Sequence, residues 1–319
     1  MRYPKILASV LSLLFILSLA AAVFPAEFPQ RPIRMIITYS AGGGTDVLGR
    51  AFQIPFEKAL GGKIVIDCIP GGSTKIGTME GMKAKPDGHT IILMPEQAWV
   101  GFYYSKTYDT KVWEQLTPIG NVTTEPYGFI EVRVESPFKT FADLSKAAKE
   151  NPGKLSGAGG GASGILVNAI LGAAGLDTKL VPFAGAGPTK IALLGGHVDF
   201  RICQPTEAIA MIRAGKTRGL AISTAERMKD LPDVPTFKEL GISESIILTR
   251  SVWGPPNMPP NIVNLITKAV EKATKDPDFI KIVEDQFLYK VEYRPSNRMI
   301  EELKIFDKKY GPVFAEAYK

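Results

Sequence analysis

Tyr39-Ser-Ala-Gly-Gly-Gly-Thr-Asp46 and Ser156-Gly-Ala-Gly-Gly-Gly-Ala-Ser163 repeat one pattern: a strand-like run ends, glycines follow and a helical stretch begins. Around the first lie the apolar run Ile33 to Tyr39 and a helix over Asp46 to Leu60. A second strand over Ile64 to Asp67 then leads into Pro70-Gly-Gly-Ser73. Around the second lie the short strand Leu155-Ser156 and a helix over Ser163 to Ala174. Its following strand, Leu180 to Phe183, leads into Phe183-Ala-Gly-Ala-Gly-Pro188. Strands alternating with helices read as an α/β fold with mainly parallel sheets. Repetition of the unit predicts two lobes.

The remaining chain extends the pattern. Helices are expected over 77–84, 188–194, 208–214, 260–275 and 297–314, and over 141–150 with Thr140 as N-cap. Strands are expected over 90–94, 198–203 and 219–223, with extended chain over 127–134. The first lobe should comprise residues 27–127 plus 233–319, and the second 128–232. Two hinge crossings would then flank a ligand cleft.

Each lobe offers two glycine loops at carboxyl ends of strands, where open α/β sheets bind ligands. Helix N-termini there present unpaired N–H groups and a partial positive charge, which attract anions. Glycine lets the backbone approach and take positive φ. Four such loops could hold a carboxylate through backbone donors and ordered water. No Gly-Lys-Ser or Gly-Lys-Thr follows either cluster, so a nucleotide triphosphatase is excluded. Gly157-Ala-Gly159-Gly-Gly-Ala162, with Asp177 downstream, meets only a loose dinucleotide fingerprint on a very short strand. No nucleophile elbow, zinc motif or calcium loop appears, and His89 and His197 are the only imidazoles. Binding without a cofactor or metal is therefore favoured over turnover, and an exported α/β enzyme is the minor alternative.

Arg2 and Lys5 precede an apolar run from Ile6 to Val23 and small residues, the order of a secretory signal peptide over residues 1–26. Cleavage near Ala22 or Ala26 would release a periplasmic protein with no stable membrane anchor; an uncleaved anchor is the alternative. Loss of Arg2 and Lys5 takes the formal charge from +6 to +4, spread without a basic run. Nucleic acid is not an expected partner. Cys68 and Cys203 read as two separate thiols, with a disulfide as the competing possibility.

Taken in order, Pro32-Ile-Arg34, Gly42-Gly-Gly-Thr-Asp46, Pro86-Asp-Gly-His-Thr90, Leu194-Gly-Gly-His-Val-Asp199, Ala214-Gly-Lys216 and Leu231-Pro-Asp-Val-Pro-Thr236 form a specific set. Together they resemble the extracytoplasmic Bug receptors of the tripartite tricarboxylate transporter family over essentially the whole mature chain. That resemblance implies a periplasmic-binding-protein-like fold closing on dicarboxylates, acidic amino acids or aromatic acids. It also implies delivery to membrane permease subunits by a monomeric receptor; presentation of the bound solute to a sensor kinase is the alternative. By resemblance, Tyr39, Ala41, Gly42, Gly43, Gly44, Thr45 and Asp46 should pinch one carboxylate against Phe183, Ala184, Gly185, Ala186 and Gly187. Asp46 would serve by accepting backbone or water hydrogen bonds. Gly72, Ser73 and Thr74, with Gly159, Gly160 and Ser163, should line the remainder.

Departures from the family pattern bear on the ligand. Ser73 and Thr74 stand where glycines are usual, and Phe183-Ala184 replaces a tyrosine followed by a long cation. One well-held carboxylate and a less polar remainder are therefore expected. Glu96, Gln97 and Trp99 follow the third strand: Trp99 could stack on ligand and Glu96 meet an amino group, or all three could form a solvated loop. Arg201, inside an apolar strand, must either pair with an acid across the sheet or face a ligand carboxylate.

Overall fold

A computed structural model describes residues 28–183, 186–244, 246–287 and 289–319. The expected signal peptide with its two candidate cleavage positions, and Ala184 and Gly185, lie outside the described residues. Among the described residues no helix is long and apolar enough to cross a membrane.

The first sheet has six strands in the order β11-β4-β10-β3-β1-β2, where β1 is Ile33–Ile37, β2 Ile64–Cys68, β3 Thr90–Pro95, β4 Thr117–Pro126, β10 Ile247–Gly254 and β11 Lys290–Val291. Helix α1 (Gly44–Leu60) connects β1 to β2, and α2 (Lys75–Lys83) connects β2 to β3. Helical crossovers keep those three strands parallel. The second sheet runs β7-β6-β8-β5-β9, with β5 Phe129–Arg133, β6 Ser156–Gly160, β7 Lys179–Phe183, β8 Phe200–Cys203 and β9 Thr217–Ile222. Here α5 (Gly161–Ala173) joins β6 to β7 and α6 (Ala186–Leu194) joins β7 to β8, again giving parallel pairs.

The expectation of mainly parallel sheets needs correction: both are mixed. Strand β10 runs antiparallel to β3 and β4, and β5 runs antiparallel to β8 and β9. The parallel part of each sheet carries the glycine loops, and the antiparallel part carries the chain between lobes. Strand β6 is also longer than its two-residue reading. Its sequence, Ser-Gly-Ala-Gly-Gly, shows no apolar alternation because close packing there requires missing side chains. A Cβ at Gly157 would lie 2.4 Å from Phe200 Cζ, and one at Gly159 would lie 3.1 Å from Gly164 Cα of α5.

The chain passes between sheets at Tyr127-Gly128 and again over residues 223–246. The crossings are bound together: Tyr127 N–H donates to Ile246 O at 3.0 Å, and Ser223 Oγ donates to the carbonyls of Tyr127 and, at 3.3 Å, Ile246. Gly128 has φ 114°, and a Cβ there would meet Ser223 Oγ at 3.0 Å, so the first crossing depends on glycine. The expected boundary at residue 233 falls within a segment held on the second sheet, where Thr236 bridges Ile222 and Val234 packs with Phe129.

Helix α3 (Gln97–Tyr104) packs against α5 of the other lobe, and the C-terminal helix α10 (Ser296–Ala317) touches both. One apolar cluster consequently runs from Trp99, Phe102 and Trp253 through Phe314 to Leu166 and Phe141.

Candidate functional site

The loop after β1 is built to leave helix donors free. Gly42 has φ 77° and nothing within 4 Å of its would-be Cβ, and Gly43, the N-cap of α1, supplies no side-chain cap. Asp46 curls back to accept the Gly42 N–H at 2.7 Å, with Cys68 Sγ at 3.3 Å and Arg50 Nε at 3.0 Å on its other oxygen. Burial pushes the Asp46 carboxyl upward, but the Gly42, Arg50 and Cys68 bonds outweigh it and hold the group below its ordinary value. Asp46 therefore shapes the loop from behind, while the first N–H groups of α1 have no intrahelical acceptor. Ala41, Gly42 and Gly44 are exposed, Tyr39 and Gly43 are half-buried, and Thr45 is buried.

The loop after β2 holds four successive residues at positive φ: Gly71 at 120°, Gly72 at 55°, Ser73 at 51° and Thr74 at 69°. Ser73 and Thr74 adopt this conformation against their Cβ preference. Ser73 is exposed, whereas Thr74 is buried and shares a 2.9 Å hydrogen bond with Tyr108 Oη.

Across the cleft, the residues at the start of α5 divide by role. Gly159 belongs to the sheet and serves helix packing, a correction to its place on the ligand loop. Gly160 is the N-cap, again without a side-chain cap, and its carbonyl accepts from Tyr127 Oη at 3.4 Å. Gly161 makes the turn at φ 57°; Ser163 is half-buried. In the fourth loop Phe183 and Ala186 are half-buried and Gly187 is exposed, with open space beyond its would-be Cβ.

Three side-chain readings change, and the two alternatives for Arg201 are resolved. Trp99 is fully buried, donates Nε1–H to Thr78 Oγ1 at 3.1 Å and sits edge-on to Trp253, so it cannot stack on a solute. Glu96 accepts from Thr249 Oγ1, and Gln97 clasps the same residue through Nε2 at 2.6 Å and Oε1 at 3.1 Å. These two start α3 and tie it to β10. Burial pushes the Glu96 carboxyl up to about 7, partly opposed by the Thr249 bond. Arg201 takes the cross-sheet alternative: its Nε lies 2.8 Å from Glu131 Oε2, its register neighbour, and both are buried. Its Nη1 donates to Ala186 O at 3.4 Å, so it supports the fourth loop from within. Burial, not polarity, decides these positions: each lies just beyond or inside a strand whose far side is core.

The floor between the lobes holds groups that the sequence did not single out. Arg250 on β10 ion-pairs with Glu125 on β4, donates Nε–H to Thr45 Oγ1 at 3.1 Å and stacks 4.9 Å from the centre of the Tyr289 ring. From the second lobe, Gln204 donates to Glu125 Oε1 at 2.8 Å and accepts from Tyr289 Oη at 2.8 Å. A Cβ on Gly44 would lie 3.1 Å from Arg250 Nη2 and 3.4 Å from Gln204 Oε1, so this cluster abuts the first glycine loop. Burial pushes the Glu125 carboxyl up to about 7, opposed by Arg250, and burial likewise raises half-buried Glu207 in the first turn of α7 (Pro205–Arg213). Charges inside strand-like segments were the available signal, but β4 and β10 are too polar to be recognised as strands.

A cavity of about 630 Å³ opens on the flank, lined by Glu125, Tyr289, Met228, Lys229, Ile247 and Lys290 among others. It reaches the back of the floor cluster and none of the four glycine loops. Both cysteines are free thiols. His89 packs edge-on to Phe28, and His197 is exposed. No group of metal-ligating side chains occurs among the described residues.

A family model described as tripartite tricarboxylate transporter family receptor matches residues 48–308. A protein from Agrobacterium vitis is 30% identical over 261 residues, covering 80% of this chain and 75% of its own. The periplasmic binding protein BugD is 26% identical with a TM-score of 0.78, covering 91% of this chain and 98% of BugD. MatC from Rhodopseudomonas palustris, solved with bound malate, is 26% identical with a TM-score of 0.76, covering 90% of this chain and all of MatC.

Proposed function

The chain belongs to the receptor family of the tripartite tricarboxylate transporters, and on that premise we propose that it captures a small carboxylate in the periplasm for a membrane permease of that type. The observation that carries this is the pair of glycine N-caps, Gly43 and Gly160, which begin α1 and α5 in different lobes without any side-chain cap. Unfilled donors at a helix start favour an anion, and a carboxylate is the anion that MatC holds. The ligand carboxylate lies on the Tyr39 to Gly44 loop and the Phe183 to Gly187 loop, partly through water. Gly72, Ser73 and Thr74 with Gly160 and Ser163 surround the remainder. With Arg201 engaged by Glu131 and Arg250 by Glu125, neither guanidinium is a free counter-charge for a second carboxylate. A ligand with one strongly held carboxylate and a less polar body follows.

Thermal unfolding with malate, adipate, glutamate and benzoate at increasing concentration tests this. A ligand at 100 times its Kd adds about 2.7 kcal/mol of stability, a rise of several degrees in Tm. No rise with any carboxylate of the three classes would overturn the proposal.

A further inference from the structure

Gln204 is the N-cap of α7, yet its side chain makes no cap bond to its own helix. Instead both ends of its amide reach the other lobe: Nε2–H to Glu125 Oε1 and Oε1 from Tyr289 Oη, each at 2.8 Å. Gln204 and Glu125 are buried at 5% and 1% relative exposure, and Tyr289 at 5%. The acceptor carboxylate is fixed in turn by Arg250, which is held by Thr45 and the Tyr289 ring. A second-lobe side chain is thereby seated in a first-lobe socket formed by Glu125, Arg250 and Tyr289.

The contact joins the lobes where the chain crosses between them. Cys203, the preceding residue, accepts from Gly128 N–H at 3.4 Å, so Gln204 stands beside the first crossing, at the base of the cleft. Hydrogen bonds lengthened by about 1 Å are lost, so any lobe rotation that carries Gln204 that far from Glu125 and Tyr289 breaks both. We propose that Gln204 is a positioning residue that locks the lobe angle at which the two uncapped helix starts serve one ligand, and that it does so before any ligand arrives. The inference rests on capture between the lobes as the protein's function, but its test needs no ligand.

Spin labels at Ile54→Cys on α1 and Ile191→Cys on α6, both strongly exposed sites, report the lobe angle in a Cys68→Ser background. The ligand-free protein should give one narrow distance distribution. Gln204→Ala should lower the closed-to-open ratio on the order of 10- to 30-fold, the effect of two net hydrogen bonds, and so broaden and lengthen the distribution. Tyr289→Phe keeps the ring over Arg250 and removes one bond, so it should shift the ratio less, in the same direction. Gln204→Glu, opposed to Glu125, should open the protein most. A distribution for Gln204→Ala superimposable on that of the parent would overturn the proposal, even if the unfolding midpoint falls, because that pattern marks a purely structural residue. Should Gln204→Ala not fold, an unchanged distribution for Tyr289→Phe would overturn it equally. Failure of every carboxylate to bind would leave these distances untouched and would count against the ligand proposal alone.

Discussion

Removing the Arg201 guanidinium separates a structural from a ligand-facing role. Arg201 and Glu131 have side-chain exposures of 0% and 1%, and their Nε to Oε2 distance is 2.8 Å in the middle of the second sheet. Arg201→Met retains much of the volume but strands the Glu131 carboxylate at a buried position. Breaking one side of such a pair costs about 3–5 kcal/mol. With a urea slope of about 3 kcal/mol/M, the midpoint should drop by roughly 1–1.7 M. Far-UV circular dichroism is the suitable probe, because Trp99, Trp113 and Trp253 all lie outside the second sheet. Adding Glu131→Gln removes the stranded charge and should restore a large part of the loss, a coupling of at least 1 kcal/mol in the double-mutant cycle. Amide exchange at residues 186–190 should also quicken in the single variant, since Ala186 O loses a donor. If Arg201→Met costs under 1 kcal/mol while carboxylate binding disappears, the pairing argument fails and the guanidinium serves the ligand.

Ser73, exposed and at φ 51°, is expected to be replaceable by glycine with a gain of about 0.5–1 kcal/mol in chemical denaturation, whereas Thr74→Gly should gain less because it loses the Tyr108 bond. Glu96, raised to about 7 by burial, binds a proton more tightly folded than unfolded, so it lowers stability as pH climbs from about 4.5 to 7. Glu96→Gln should therefore flatten that part of the stability profile and stabilise the protein at pH 8, by on the order of 3 kcal/mol; an equally steep profile in the variant would refute it.

Much of the fold was legible because local chemistry dictated it. The helix over 141–150 has the expected bounds, and its Thr140 cap forms a reciprocal capping box with Asp143. The glycine turns after β1 and β2 stand where the sequence puts them, since positive φ is a property of the residues themselves. Strand β6 escaped a pattern search because glycines carry no hydropathy signal, and α3, β4 and β10 escaped because their apolar and polar residues do not alternate cleanly.

From the sequence alone came the repeated strand-glycine-helix unit, the absence of phosphate-loop and nucleophile motifs, and the family resemblance, because each depends on order and residue type along the chain. Only the tertiary structure decided which polar side chains meet. Arg201 finds Glu131, 70 positions earlier on the neighbouring strand, by register, and Gln204 finds Glu125 and Tyr289 across the cleft. Trp99 is drawn into the core by Trp253. Backbone donors at a helix start are fixed by local conformation, whereas the partner of a buried charge is chosen by how distant strands come together.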